Sequence, residues 1–282
     1  MMPPVQLYNN VSQKISKLVT RSYSTSFSIA VSFLEPEMQN AIYSIYGFVR
    51  FADEIVDSFD NYDKKILLEK FEKDYYEGIN NGISLNPILH AFQNIVKIYK
   101  IPDELIQAFL ASMKMDLYKN DYKNKSETDE YIYGSAEVVG LMCLRVFTNS
   151  DENLYAELKY PAMKLGAAFQ KVNFLRDLKN DMITLDRRYF PEIEMSTFND
   201  CIKNSIIKDI ENDFSASYLG IKKLPKDAKL AVLIAFYYFR RLLKKIKHTP
   251  AKKLMTTRIR VSDSKKILLL IKAYLFSKYK IV

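Results

Sequence analysis

The chain has no tryptophan, two histidines, two cysteines, seven glycines and nine prolines in 282 residues. Cys143 and Cys201 are too few to frame a disulfide-stapled fold. With only His90 and His248 beside them, a structural zinc cluster is excluded as well. Scarce glycine and proline leave little punctuation. Alternating strand-like runs bounded by turn residues are rare, whereas apolar residues recur at helical spacing throughout. The expected class is all-α. Long hydrophobic runs are also missing. The longest one towards the C-terminus, residues 230–239, is half of the ~20 residues that a membrane-spanning helix needs. Residues 1–10 lack the apolar core of a signal peptide. The expectation is a cytoplasmic protein, peripheral at most on the inner face of a membrane.

What is present is a 48% hydrophobic chain without a Pro/Gly/Ser-rich linker, read as one domain over residues 1–282. Helices are predicted over residues 11–20, 37–59, 63–80, 86–99, 102–118, 129–147, 197–222, 226–247 and 262–279. Residues 121–128 read as a polar loop. Residues 151–181 read as one or two helices around Pro161. The net charge is +9, and from Lys222 onward 18 Lys and Arg stand against Asp227 and Asp263. No RNP, zinc-finger or basic-zipper pattern accompanies this charge, so nucleic acid is not an expected partner. The basic helices are either a solvated face or a contact with anionic lipid.

Two acidic windows carry most of the functional information. Asp53 and Asp57 form one i, i+4 pair, and Asp177 and Asp181 form another, roughly 120 residues away. On a helix this spacing stacks both carboxylates on one face, one turn apart. Like charges so close repel, a cation between them removes the repulsion, and oxygen-only ligands suit Mg²⁺. Two such pairs facing each other across a bundle would form a receptor for a diphosphate. The flanks, residues 41–52 and 167–176, are largely apolar, and carboxylates on buried helices are costly unless paired or metal-bound. In the second window Gln170, Asn173, Asp177 and Asp181 are spaced three, four and four, one polar stripe. Arg50 lies three residues before Asp53, and a guanidinium there can pair bidentately with phosphate. Arg176 either does the same or braces Asp177.

The segments Tyr23-Ser24-Thr25-Ser26-Phe27, Arg50 to Asp57, Tyr133-Gly134-Ser135-Ala136-Glu137-Val138-Val139-Gly140-Leu141-Met142, Asn173 to Asp181 and Arg187-Arg188-Tyr189-Phe190-Pro191 together resemble the squalene and phytoene synthases. These are enzymes that join two prenyl diphosphates head to head. Glu54 in Asp-Glu-x-Val-Asp, and Val-Gly-Leu-Met, look closer to the phytoene synthases. The resemblance implies an isoprenoid-synthase-type helical bundle with a central active-site cavity. It implies that Asp53, Asp57, Asp177 and Asp181, with Asn173, hold Mg²⁺, with Mn²⁺ as a substitute. Arg50 and Asn173 would contact the diphosphate or metal, Gln170 would line the same cavity, and Arg176 would sit beside it. Tyr133 would lie near the reacting carbons, Tyr23 on a flap, and Arg258 and Arg260 would supply late phosphate contacts.

The activity so implied is Mg²⁺-dependent condensation of two geranylgeranyl diphosphates to 15-cis-phytoene through prephytoene diphosphate, without NADPH. Squalene or dehydrosqualene synthesis from farnesyl diphosphate is the alternative. A monomer or weak dimer is expected. Terpene cyclases and head-to-tail prenyltransferases share paired acidic motifs, but Gln-x-x-Asn-x-x-Arg-Asp argues against both. A non-catalytic relative would be expected to have lost the aspartates. The small residues Ala136, Gly140, Gly166, Ala167 and Ala168 either leave room for prenyl chains or mark close helix packing. The 17 Phe and 20 Tyr are compatible with an aromatic-lined tunnel and with plain core packing.

Overall fold

The computed structural model describes residues 3–194 and 197–261. The expected closing helix over 262–279 lies outside the described residues. Helices follow one another as α1 (Pro4–Tyr23), α2 (Thr25–Val31), α3 (Pro36–Ser58), α4 (Lys64–Asn81), α5 (Pro87–Ile98), α6 (Asp103–Met115) and α7 (Lys125–Ile132). A π turn (Tyr133–Glu137) then leads into α8 (Val138–Phe147), α9 (Glu152–Ile183), α10 (Asp200–Lys223), α11 (Lys226–Lys247) and the short α12 (Ala251–Leu254). Among the described residues there is no β-strand, only a bridge between Asp121 and Arg188. No helix among them is long and apolar enough to cross a membrane.

Local chemistry sets most of the boundaries. Side chains of Ser24, Asp63, Asn86, Asn124, Asp151 and Asn199 accept from backbone N–H groups of the first turns of the helices that follow them. Pro36 and Pro87 occupy first-turn positions where no N–H is needed. The Asn124 cap starts α7 inside the stretch read as a loop. The first helix begins at Pro4, seven residues before its expected start, because it too opens on a proline.

Aromatic packing joins the first half of the bundle. Phe48 of α3 stacks on Phe92 of α5 at 4.0 Å and meets Phe71 of α4 and Phe109 of α6 at 5.4 and 5.5 Å. In the second half Phe169 of α9 stacks on Phe239 of α11 at 4.0 Å.

The 32-residue α9 runs between the two halves, packing against α8, α10, α11 and the π turn. It is one helix, not two. Pro161 lies inside it, and a Cβ on Gly220 of α10 would stand 2.3 Å from the proline Cβ, so the ring is accommodated against a glycine. A Cβ on Gly166 would stand 2.6 Å from the Ala136 carbonyl oxygen, so α9 and the π turn cross nearly in backbone contact. Lys171, 5% exposed, ties α9 to α10 through Asp209 and through Asp213 at 2.7 Å.

Asp213 is itself buried, so Lys171→Ala should strand a charge and lower unfolding free energy by about 3 kcal/mol. Lys164→Ala, which removes a half-exposed partner 3.5 Å from Asp213, should cost under about 1 kcal/mol. Chemical denaturation of both variants checks the pair. Equal, small losses would contradict the buried-charge account.

Candidate active site

A cavity of about 1430 Å³ opens between α2, α3, the π turn, α8, α9, α11 and residues 258–261. Asp53 and Asp57 of α3 and Gln170, Asn173, Asp177 and Asp181 of α9 all line it, so the two sequence windows do meet in space. Tyr23, Arg50, Arg176, Arg258 and Arg260 line it too.

The carboxylates lie within reach of each other's fields. Lost hydration and the charge of Asp57 push the Asp53 carboxyl up to about 7. Lost hydration and the charges of Asp177 and Asp57 push Asp181 up to about 8. Arginines offset part of this. Arg50 donates to Asp53 Oδ2 at 2.6 Å, pairs with Glu54, and lies over the Tyr23 ring at 4.4 Å. Arg176 Nε donates to both oxygens of Asp177 at 3.1 Å, so it braces that carboxylate. Arg258 Nε reaches Asp177 Oδ1 at 2.7 Å, from 81 positions down the chain. The Arg260 carbonyl accepts from Lys245 Nζ at 2.6 Å, which anchors this late strand of chain to α11. Among the described residues Asp181 has no ion pair.

Tyr133 is the exception. It is 38% exposed and does not line the cavity. Two positions on a helix turn a side chain by about 200°, and Tyr131 is the tyrosine that faces inward. Tyr131 is buried, lines the cavity, and donates to Asp116 Oδ2 at 2.8 Å. It stacks with Tyr189 at 5.1 Å, which stacks on Phe174 at 4.0 Å. Burial pushes both phenols far above their ordinary range.

Sequence reasoning also missed Arg187 and Asp116. The buried Arg187 donates to Asp57 Oδ1 at 2.5 Å and to the Asp116 carbonyl at 3.1 Å. Burial lifts Asp116 to about 7 although Arg187 lowers it. Arg187 stood in a quoted motif, but nothing in its spacing tells that its loop returns to α3. Of the small residues, Ala136, Gly140 and Gly166 line the cavity, whereas Ala167 and Ala168 are buried away from it.

The donor set fits a hard divalent cation. It is all oxygen, two of its carboxyls are held protonation-prone by lost hydration and by their acidic neighbours, and Asn173 Oδ1 is buried with no hydrogen-bond partner. Among the described residues no three His, Cys, Asp or Glu converge on one point. An ion here would need further oxygens from water or a phosphate, the usual habit of Mg²⁺.

The chain matches the family profile Squalene/phytoene synthase over residues 20–265. It is 27% identical to phytoene synthase 1, chloroplastic, of Solanum lycopersicum over 274 residues, 91% of this chain and 66% of that protein. It is 25% identical to the 15-cis-phytoene synthase of Synechocystis sp. over 264 residues, 82% of this chain and 75% of that one. The chain thus spans just under two thirds of the length of the tomato relative. Among solved structures it resembles a dehydrosqualene synthase in complex with ligand, with a TM-score of 0.83, 22% identity and coverage of 98% of this chain and 100% of that one. It also resembles the squalene synthase HpnC of Alicyclobacillus acidocaldarius, with a TM-score of 0.74, 19% identity and coverage of 87% and 95%. The helical order around the cavity is therefore an isoprenoid-synthase-type fold. With a family profile matched across most of its length and the acidic stripes of α3 and α9 lining one cavity, the chain belongs to the squalene/phytoene synthase family.

Proposed function

We propose that the protein condenses two prenyl diphosphates head to head, and that its substrate is geranylgeranyl diphosphate and its product 15-cis-phytoene. The observation that carries this reading is the pair of opposed acidic stripes, with their arginines, on the wall of one large, mostly apolar cavity. Its volume exceeds the ~300–1,000 Å³ of ordinary small-molecule pockets, which suits two long chains. The C20 substrate rests on Asp53-Glu54-Ile55-Val56-Asp57 and Val139-Gly140-Leu141-Met142 and on the names of the relatives.

Asp53, Asp57, Asn173, Asp177 and Asp181 would hold Mg²⁺, or Mn²⁺ in its place. When bound, the metal would draw charge from the diphosphate and ease ionisation of the allylic C–O bond. Arg50, Arg187 and Arg258 lie where they can balance charge on the departing diphosphate. The allylic cation alkylates the C2–C3 double bond of the second substrate, and proton loss closes a cyclopropane. That diphosphate ionises in turn, rearranges to the 1–1′ link and loses a proton, leaving a central triene with no reductant. The walls must exclude water while the cation lives. Phe169, Phe239 and Val139 provide an unreactive lining, and aromatic faces also stabilise positive charge. Tyr131, fixed by Asp116, presents a phenol that stays protonated.

Asp53→Asn and Asp177→Asn should each lower turnover by ~10²-fold or more with an unchanged circular dichroism spectrum. Near wild-type turnover in either variant, or in excess EDTA, would contradict the assignment.

Incubation with C15 or C20 diphosphate, with and without NADPH, should give phytoene from C20 substrate in both conditions, identified by mass and ultraviolet spectrum. Preference for C15 substrate, or a hydrocarbon made only with NADPH, would point to dehydrosqualene or squalene synthesis instead.

Metal binding also predicts a pH dependence. Asp53 and Asp181 titrate higher folded than unfolded. The metal-free fold therefore retains protons that the unfolded chain releases, and it loses stability as pH rises from about 4 through about 8. Mg²⁺ should raise the melting temperature more at pH 8.5 than at pH 6, where it competes with protons. Equal shifts would argue that Mg²⁺ binds elsewhere.

A further inference from the structure

Helix α1 is built inside out. The residues it buries are Ser12, Ser16 and Thr20, one every turn. Ser16 and Thr20 return their hydroxyls to the carbonyls of Ser12 and Ser16 at 3.3 and 2.9 Å, so the inner face is small and mostly self-satisfied. Smallness is what the contact demands, since a Cβ on Gly47 of α3 would lie 3.3 Å from Ser16 Oγ. Several of the larger apolar residues are turned out, while Ile15 and Val19 are half-buried. Leu7 is 55% and Leu18 64% exposed, with Val11 also exposed. Leu7, Val11, Lys14 and Leu18 are spaced four, three and four, which puts them on one stripe.

A second exposed apolar element abuts this helix. In the turn before α5, Leu85 is 95% exposed and Ile83 is exposed too. Tyr8 Oη donates to the Ser84 carbonyl at 2.7 Å, and Asn9 Oδ1 lies 2.6 Å from His90 Nε2, pinning the turn and α5 to the first two turns of α1. An ordinary amphipathic surface helix hides such residues, and a clustered exposed apolar patch marks an interaction surface.

We infer that α1 and residues 83–85 form a surface that seats on an anionic lipid bilayer. Charge decides the occupant. Residues 1–34 contain no Asp or Glu, while Lys14, Lys17 and Arg21 are basic. Exposed Leu and Val with interspersed Lys is the composition of a helix lying in a membrane interface, with the ammonium groups at headgroup level. A second copy fits poorly. In-register parallel pairing of α1 with itself sets Lys14 against Lys14, and antiparallel pairing of the stripe sets the Lys14 ammonium against the apolar Val11. Helix α1 runs directly into the Tyr23 to Phe27 segment of the cavity wall, so docking brings the cavity's edge to the lipid. The lipid contact does not depend on which hydrocarbon is made, and it assigns the membrane face to α1 rather than to the basic chain after Lys222.

Flotation of the whole protein with phosphatidylcholine vesicles, with and without phosphatidylglycerol, tests this by binding alone. Wild type should float with the anionic vesicles and be released by salt. The triple variant Leu7→Ser, Val11→Ser, Leu18→Ser should bind about tenfold more weakly or worse. Leu85→Ser and Lys14→Glu should each weaken binding, with Lys252→Glu/Lys253→Glu on α12 unaffected. All these positions are exposed, so circular dichroism should not change. Wild-type binding by the triple variant would overturn the inference, as would loss confined to the α12 variant. So would a wild-type dimer that the triple variant turns into a monomer without either one binding vesicles.

Discussion

Four carboxylates cannot share the wall of one largely apolar cavity without positive charge among them. Asp53 and Asp181, pushed up to about 7 and about 8 by lost hydration and by their acidic neighbours, register that conflict directly. The protein answers part of it with fixed cations. Arg50 is set against Asp53, Arg187 against Asp57, and Arg176 and Arg258 against Asp177. Asp181 and the orphaned oxygen of Asn173 are left over. On the proposed reading, that remainder is where a divalent ion and a diphosphate would enter. On that reading their charges would cancel most fully when both are present, which would couple metal and substrate binding.

The rest of the fold can be understood as holding this arrangement still. The Asn173–Asp181 stripe keeps its one-turn spacing only because α9 continues unbroken past Pro161, and Gly220 makes room for that proline. Gly166 brings α9 against the π turn, and the π turn's flank carries Tyr131 into the cavity. On another face of the same helix the buried Lys171 draws in Asp209 and Asp213 of α10. The polar stripe and the lysine anchor thus fix the rotation of α9 from two faces.

The acidic stripes, Arg50, the all-helical class and most helix starts were legible in the sequence because they are local. An i, i+4 pair, a capping Asn or a first-turn proline means much the same wherever the helix goes. What was not legible depended on where distant segments return. Arg187 reaches Asp57 across 130 positions and Arg258 reaches Asp177 across 81. The resemblance implies Tyr133 near the reacting carbons, whereas in the structure Tyr133 is exposed and Tyr131 lines the cavity. Tyr131 lies two residues before the quoted motif, and rotational phase beside a π turn cannot be read from spacing. A helix over residues 11–20 was legible, but which of its faces is buried was not. Packing against Gly47 selects small hydroxyl residues, and that contact is tertiary.

The central claim is that the two acidic pairs act as one site. Binding of inorganic pyrophosphate in the presence of Mg²⁺, measured by calorimetry on wild type, Asp57→Asn, Asp181→Asn and the double variant, tests it most directly. The account predicts that each single substitution removes most of the affinity and that the double variant is scarcely worse than either, a strongly non-additive cycle. Losses that simply add, or pyrophosphate binding of undiminished strength without Mg²⁺, would contradict it.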